Sequence, residues 1–251
     1  MAYEQFAYAY DRLMSEMPYS DWVKWTEDRY RDYGLAPKTA IDLGCGTGAI
    51  TIPLAKSGMK VYGLDLSDDM LAIAHDKSEG VKLPAGASLM WMQGDLRNWE
   101  LPESVDLVVS FCDCMNYLLE EADIEAAFEQ VYHGLARNGL FLFDVHAPAV
   151  FRSYAEEQPF VLDEEDVSYI WTSELDEERM EIEHNLSIFV QQTNGAYHKI
   201  EEQHVQRAYE IAWLHDLLVQ VGFSEIRIMA DFTNESPNDE SMRIFFAARK
   251  M

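Results

Sequence analysis

Ile41-Asp42-Leu43-Gly44-Cys45-Gly46-Thr47-Gly48 decides the fold: an apolar strand runs into a loop with glycine at every second position. A loop stripped of side chains lets backbone amides approach a ligand closely at the mouth of a helix. The pattern implies a site for a nucleotide-like cofactor at the carboxyl end of that strand.

Working outward, strand and helix patterns alternate from Lys38 onward. Strands are expected at Thr39–Leu43, Lys60–Leu64, Ser88–Gln93, Val105–Phe111 and Gly139–His146. Helices are expected between them, notably Asp68–Ser78 capped by Ser67, and Glu121–Leu135 ahead of Asn138-Gly139. This rhythm implies a parallel sheet covered by helices. After a helix near Tyr209–Val221, strands at Ser224–Phe232 and Ser241–Ala248 close the pattern. Ahead of it, amphipathic helices over Tyr3–Met17 and Tyr19–Tyr33 form a cap over the site.

Between Pro148 and Arg207 the period changes to two. Met180, Ile182, Leu186, Ile188 and Val190 fall on one face of a strand. Asn194-Gly195 is a two-residue hairpin signal, and Asp176-Glu177-Glu178 is a turn joining an earlier strand around Val167–Trp171. A three-stranded antiparallel insertion follows, readable as a lid, as an edge extension or as a homodimer contact. The chain divides into a helical cap (1–36), a cofactor-binding α/β core (37–147), the inserted β lid (148–207) and the completion of the core (208–251).

The 251 residues, 48% hydrophobic, suffice for one large α/β domain with an insertion. Acidic side chains number 45 against 19 basic, a formal net charge of −26. Such a charge repels a phosphate backbone and argues against nucleic acid as a partner, while attracting cationic small molecules. No apolar run approaches the ~18 residues that span a bilayer, so no membrane role is expected. Three cysteines, Cys45, Cys112 and Cys114, with no signal-peptide pattern point to a reducing cytoplasm.

Gly44, Gly46 and Ala49 also satisfy the looser dinucleotide fingerprint of dehydrogenases, so other residues must discriminate. Asp42 precedes the first glycine by two, Asp65 ends strand two, Gly94-Asp95 follows strand three, and Asn138-Gly139 opens strand five. With these features the chain resembles the class I S-adenosylmethionine-dependent methyltransferases over nearly its whole length, the inserted sheet apart. The resemblance implies a Rossmann-like, doubly wound sheet of seven mostly parallel strands with an antiparallel final strand, and S-adenosyl-L-methionine as cofactor. It implies that Gly44, Cys45, Gly46 and Gly48 bring backbone to the methionine portion, with Asp42 ordering the loop or meeting the amino group through water. Asp65 would take the ribose hydroxyls, a task suited to a carboxylate with two acceptor oxygens. Leu66 and Met70 would line adenine and ribose; Gly94, Asp95 and Leu96 would read the adenine edge. Phe111 and Cys112 would lie near the cofactor, as would Tyr10 from the run Tyr3-Glu4-Gln5-Phe6-Ala7-Tyr8-Ala9-Tyr10, which resembles the cap of small-molecule members.

The implied reaction is in-line transfer of a methyl group to nitrogen or oxygen of a small molecule. A hydroxyl acceptor needs a base, for which His146, Asp113 and Tyr117 are the candidates; an amine needs only a neutral lone pair, and the acidic surface favours it. Cys112 and Cys114 flank Asp113 without the preceding proline of cytosine-C5 enzymes, and their spacing gives no metal site. Strand four lacks the Asn/Asp-Pro-Pro-aromatic motif of enzymes that methylate nucleobase or glutamine amides. A two-residue turn at Asn194-Gly195 sets His204 opposite Asn185 and points His184 to the other face, dispersing that pair. Arg152 and Arg207 are candidates for holding a substrate carboxylate. Methylation of a protein or RNA, and non-catalytic sensing of the cofactor, remain the alternatives.

Overall fold

The computed structural model describes residues 10–251. The expected helix over Tyr3–Met17 and the 1–36 cap therefore lie partly outside the described residues. The helix over 19–33 is α1, Tyr19–Asp32. The core follows as β1 (Thr39–Leu43), α2 (Thr51–Lys56), β2 (Lys60–Asp65), α3 (Asp68–Ser78), β3 (Ser88–Gln93), β4 (Val105–Ser110), α4 (Glu121–Gly134) and β5 (Leu135–His146). It resumes as α6 (Ile211–Val221), β10 (Phe223–Ala230) and β11 (Arg243–Lys250), after an intervening segment that contains α5 (Pro148–Glu157).

The seven strands lie in the order β10-β11-β5-β4-β1-β2-β3. β1, β2, β3, β4 and β5 pair in parallel, and β11 runs antiparallel to both β5 and β10. Strands covered on both faces are apolar almost throughout: β1, β4 and β5 bury nearly every residue, whereas edge strand β3 alternates. Phe141, Phe143 and Phe246 stack at 4.7 and 4.6 Å on one face, and α1 sets Trp22 and Trp25 against the other. Each aromatic pair adds ~0.5–1.5 kcal/mol beyond its buried area. The order reverses between β1 and β4, and at such a switch point the loops after neighbouring strands diverge and leave a crevice. Here the crevice separates the glycine loop after β1 from Cys112-Asp113 after β4.

Local chemistry explains the elements that match the sequence pattern. Ser67 Oγ accepts the Met70 N–H at 3.3 Å, with Asp68 and Asp69 in the first turn of α3. Gly222, at φ 116°, ends α6. β5 departs from expectation: it begins at Leu135 rather than Gly139. Asn138 sits inside it at φ 65°, and the pairing with β4 shifts register there. The turn residue makes a bulge, not a strand start. Asp231 and Phe232, at φ 50° and 60°, cut β10 short of Phe232.

The inserted sheet has four strands, not three: β6 (Phe160–Asp163), β7 (Val167–Asp176), β8 (Glu181–Gln191) and β9 (Tyr197–Arg207). β6 is too short to show a period, and α5 before it starts with proline at its first turn. Asp176 Oδ1 accepts the N–H groups of Glu178 and Arg179, making the β7–β8 turn. Between the last paired residues after β8 and before β9, Gln192 and Ala196, the turn has three residues rather than two. Gln192 pairs with Ala196 and accepts the Gly195 N–H, with Gly195 at φ 81°. One extra loop residue moves the register by one. His184 and His204 therefore face each other on the same side, opposite to the expected separation.

Candidate active site

The glycine loop leaves β1 over the end of β2, where the Leu64 carbonyl accepts the N–H groups of Gly44 (2.8 Å) and Cys45 (3.0 Å). Gly44 (φ 73°) and Gly48 (φ 79°) need glycine twice over, because a Cβ on Gly44 would overlap Cys114 Sγ and one on Gly48 would overlap the Trp91 ring. Asp65, at the tip of β2, holds the loop: Oδ2 accepts the Gly46 N–H at 2.7 Å and Oδ1 the Ser67 N–H at 2.9 Å. Burial raises its pKa, and these backbone bonds hold the rise down.

An open cleft of ≈ 360 Å³ lies above this loop, bordered by Asp42, Gly44, Cys45, Thr47, Phe111 and Cys112, with Tyr10 and Tyr19 across it. Asp42 is 2% exposed, and Thr51 donates to its Oδ2 at 2.6 Å. Burial pushes its pKa up to about 7, against the Thr51 bond and helped by the nearby charge of Asp65. Phe111 is buried edge-on to Trp25. The Tyr10 and Tyr19 hydroxyls bond to each other, and burial raises the pKa of both. Asp11 bonds Thr47 at 2.6 Å and Lys77 at 3.0 Å, and Arg12 reaches Glu164 at 2.6 Å. The described part of the N-terminal segment thus ties the glycine loop to the inserted sheet.

Along the ends of β2 and β3, Leu66 is 70% exposed and Met70 packs beneath the inserted sheet. Gly94 N–H bonds the Asp65 carbonyl at 2.9 Å. Arg97 grips Asp95 through Nη2 (2.6 Å) and Nε (3.0 Å), and reaches Asp123 at 2.7 Å. That guanidinium lowers the Asp95 pKa. Leu96 packs on the core.

The residues after β4 and β5 converge on a second cluster. Cys112 and Asp113 turn sharply at φ 56° and 55°, and the Asp113 N–H donates to Asp144 Oδ1 at 2.9 Å. Arg243, from β11, donates to Asp144 Oδ2 (3.0 Å), to Asp113 Oδ1 (3.1 Å) and to His146 Nε2 (2.8 Å). Trp22 Nε1 completes Asp144 at 2.6 Å, and Gln206 from β9 bonds Asp113 Oδ2 at 2.7 Å. Burial alone would raise the Asp113 pKa, but His146, Arg243 and Gln206 outweigh it and hold it below the usual range. Asp144 goes the other way, burial winning over Arg243. Burial lowers the pKa of His146, against the charge of Asp113, whose Oδ1 lies 3.6 Å from Nε2. Asn116 accepts the His146 N–H at 3.0 Å and donates to the Arg207 carbonyl at 2.9 Å, joining β5 to β9.

Tyr117 is 46% exposed with its ring edge-on to His204 at 6.0 Å, and Tyr154 packs against His146 and His184. His184 Nδ1 accepts from Trp171 Nε1 at 3.0 Å; burial, with His204 and His146 near, lowers its pKa to about 4. No cluster of three or more metal-ligating side chains exists among the described residues. The arginines proposed for a substrate carboxylate do not converge on the site. Arg152 pairs with Glu177, and Arg207 covers Tyr209 and bonds the Leu119 carbonyl. Reasoning from sequence missed Arg243, Asp144, Gln206 and Arg97.

Residues 40–139 match the model of a methyltransferase domain. A chain from Geobacillus sp. (strain WCH70), described as a methyltransferase, is 39% identical over all of both sequences. The chain belongs to the class I S-adenosylmethionine-dependent methyltransferases. The solved methyltransferase from Clostridium acetobutylicum ATCC 824 superposes with a TM-score of 0.85 at 23% identity, covering 100% of this chain and 99% of that one. A sugar N-methyltransferase from Streptoalloteichus sp ATCC 53650 gives a TM-score of 0.77 at 16% identity, covering 97% and 92%. This methyltransferase uses S-adenosyl-L-methionine. The residues fit that group: it carries an ammonium and a sulfonium, and the cleft presents the buried Asp42 carboxylate, with no cation bonded to it among the described residues. No helix among the described residues is long and apolar enough to cross a membrane.

Proposed function

We propose that this methyltransferase transfers its methyl group to the nitrogen of a small amine held between Cys112-Asp113 and the inserted sheet. The observation that carries the reading is the roof over the ends of β4 and β5. Gln206 and the Arg207 carbonyl of β9 bond Asp113 and Asn116, setting the inserted sheet over the residues after β4 and β5 and narrowing the approach for a macromolecular acceptor. Beneath that roof two carboxylates, Asp113 and Asp144, share one guanidinium. The residual negative charge, walled by Tyr117 and Tyr154, favours a neutral amine as acceptor, because its nitrogen turns cationic as it takes the methyl and is then stabilised electrostatically and by cation–π attraction.

Asp42, the backbone of Gly44, Cys45, Gly46 and Gly48, Asp65, Leu66 and Met70 are the residues we assign to holding S-adenosylmethionine, with Gly94, Asp95 and Leu96 on adenine. Phe111, Cys112 and Tyr10 flank the transfer point. When bound, the cofactor supplies an activated sulfonium methyl. The protein orients the acceptor and excludes water, which contributes up to ~7–11 kcal/mol in well-oriented systems. The inserted sheet acts as a lid, and Asp11 and Arg12 strap it to the glycine loop. The sugar N-methyltransferase of similar fold supports the amine reading by analogy of architecture.

Incubation with methyl-labelled S-adenosylmethionine and a fractionated metabolite extract tests this. Label is expected in a low-molecular-weight basic fraction. Label found only in protein or RNA, or in nothing, would overturn the proposal; the last result favours a cofactor sensor.

A further inference from the structure

Arg243 occupies the centre of the acceptor cluster and comes from β11, far from every motif in the sequence. Its guanidinium lies 5.2 Å over the Trp22 ring and donates to Asp144, Asp113 and His146 Nε2. An arginine has five N–H donors, no lone pair, and keeps its charge in proteins. The 2.8 Å contact with His146 therefore has one direction: Arg243 donates and Nε2 accepts. A neutral imidazole that accepts at Nε2 carries its proton on Nδ1. An imidazolium would set N–H against N–H. His146 Nδ1 is buried with no hydrogen-bond partner among the described residues.

We propose that Arg243 is a positioning residue that selects amine over hydroxyl acceptors. It spends the lone pair of His146 and fixes Asp113 as a hydrogen-bonded carboxylate, so neither serves as a base. The inference rests on the methyl-transfer reading above. In transfer to an amine, the nitrogen lone pair forms the new C–N bond as the sulfonium C–S bond breaks. The C–S electron pair stays on sulfur, and the surplus N–H proton leaves to solvent. A hydroxyl must lose its proton as the C–O bond forms, and this requires a base in hydrogen-bond reach. Of the neighbouring imidazoles, His184 accepts from Trp171 at Nδ1, so its neutral ring carries the proton on Nε2 and offers no lone pair there.

Two measurements test the proposal. Long-range 1H–15N correlation on histidine-labelled protein reads the proton position directly, with His146 assigned by its loss in His146→Gln. His146 is expected as the pure Nδ1–H tautomer, unchanged across the neutral pH range. In Arg243→Met it is expected to gain the Nε2–H form and to titrate. An Nε2–H tautomer or an imidazolium in the wild-type protein overturns the assignment, and this result needs no folded variant. In the second measurement, the labelled cofactor is offered a metabolite extract whose amines have been acetylated, beside the untreated extract. Label is expected in the untreated extract only, and label persisting after acetylation overturns amine selection. Absence of label from both refutes the transferase reading instead, and the tautomer spectrum then decides the role of Arg243 by itself.

Discussion

At the residue scale, Asp42 carries a conflict between stability and binding. Its carboxyl is buried beside a second acid, with Thr51 as its hydrogen-bond donor, and its pKa stands near 7 against 3.8 for the free side chain. A raised acid stabilises the fold fully below the unfolded pKa, and that contribution is lost as pH rises from 3.8 to about 7. Asp42→Asn removes the loss. The variant is expected to be more stable than wild type at pH ~8 by on the order of 2–4 kcal/mol, the gap closing towards pH ~4, as read by denaturant melts at both values. Cofactor affinity should fall in the same variant. Asp65→Ala is expected to cost on the order of 1–3 kcal/mol of S-adenosylhomocysteine affinity through lost charge-assisted bonds. Unchanged binding by calorimetry would refute the ribose assignment.

At the element scale, the inserted sheet has an apolar face of its own. Ile188 is fully buried with Val167 and Ile200, while Leu13 and Met70 reach the same cluster from the cap and α3. Ile188→Ala is expected to cost ~2–4 kcal/mol, consistent with large-to-small changes in closed cores. The loss should fall on this sheet first, because its strands pair with one another and not with the seven-stranded sheet. Limited proteolysis should cut between residues 160 and 205 in the variant. Affinity for S-adenosylhomocysteine should change less than rates of methyl transfer. Equal loss of both would show that the sheet is part of the cofactor site and not a roof over the acceptor.

At the scale of the whole molecule, the net charge of −26 acts on everything at once. Self-repulsion destabilises the compact state and is screened by salt over ~10 Å at 0.1 M. The melting temperature is expected to rise by a few degrees as sodium chloride is raised from low to physiological strength, about 0.15 M. A flat or falling profile in scanning calorimetry would mean that local ion pairs such as Arg97 with Asp95 and Asp123 outweigh the global field.

The glycine loop, the acid at the tip of β2, the Ser67 cap and the alternation of β1 to β5 were legible along the chain, because each is a local matter. Backbone φ, strand burial and a capping bond are decided within a few residues, and they build the half of the candidate site proposed for the cofactor. The half proposed for the acceptor was legible only as a short list, His146, Asp113 and Tyr117. What ties two of them together is Arg243, 99 residues from Asp144 and 130 from Asp113, and Gln206, 93 from Asp113. Partners that distant leave no periodic trace. The register that turns His184 towards His204 depended on one loop residue, which the Asn-Gly signal does not count. Local sequence chose the glycine loop because conformational preference is local; tertiary structure assembled the cluster around Arg243 because charge pairing acts through space.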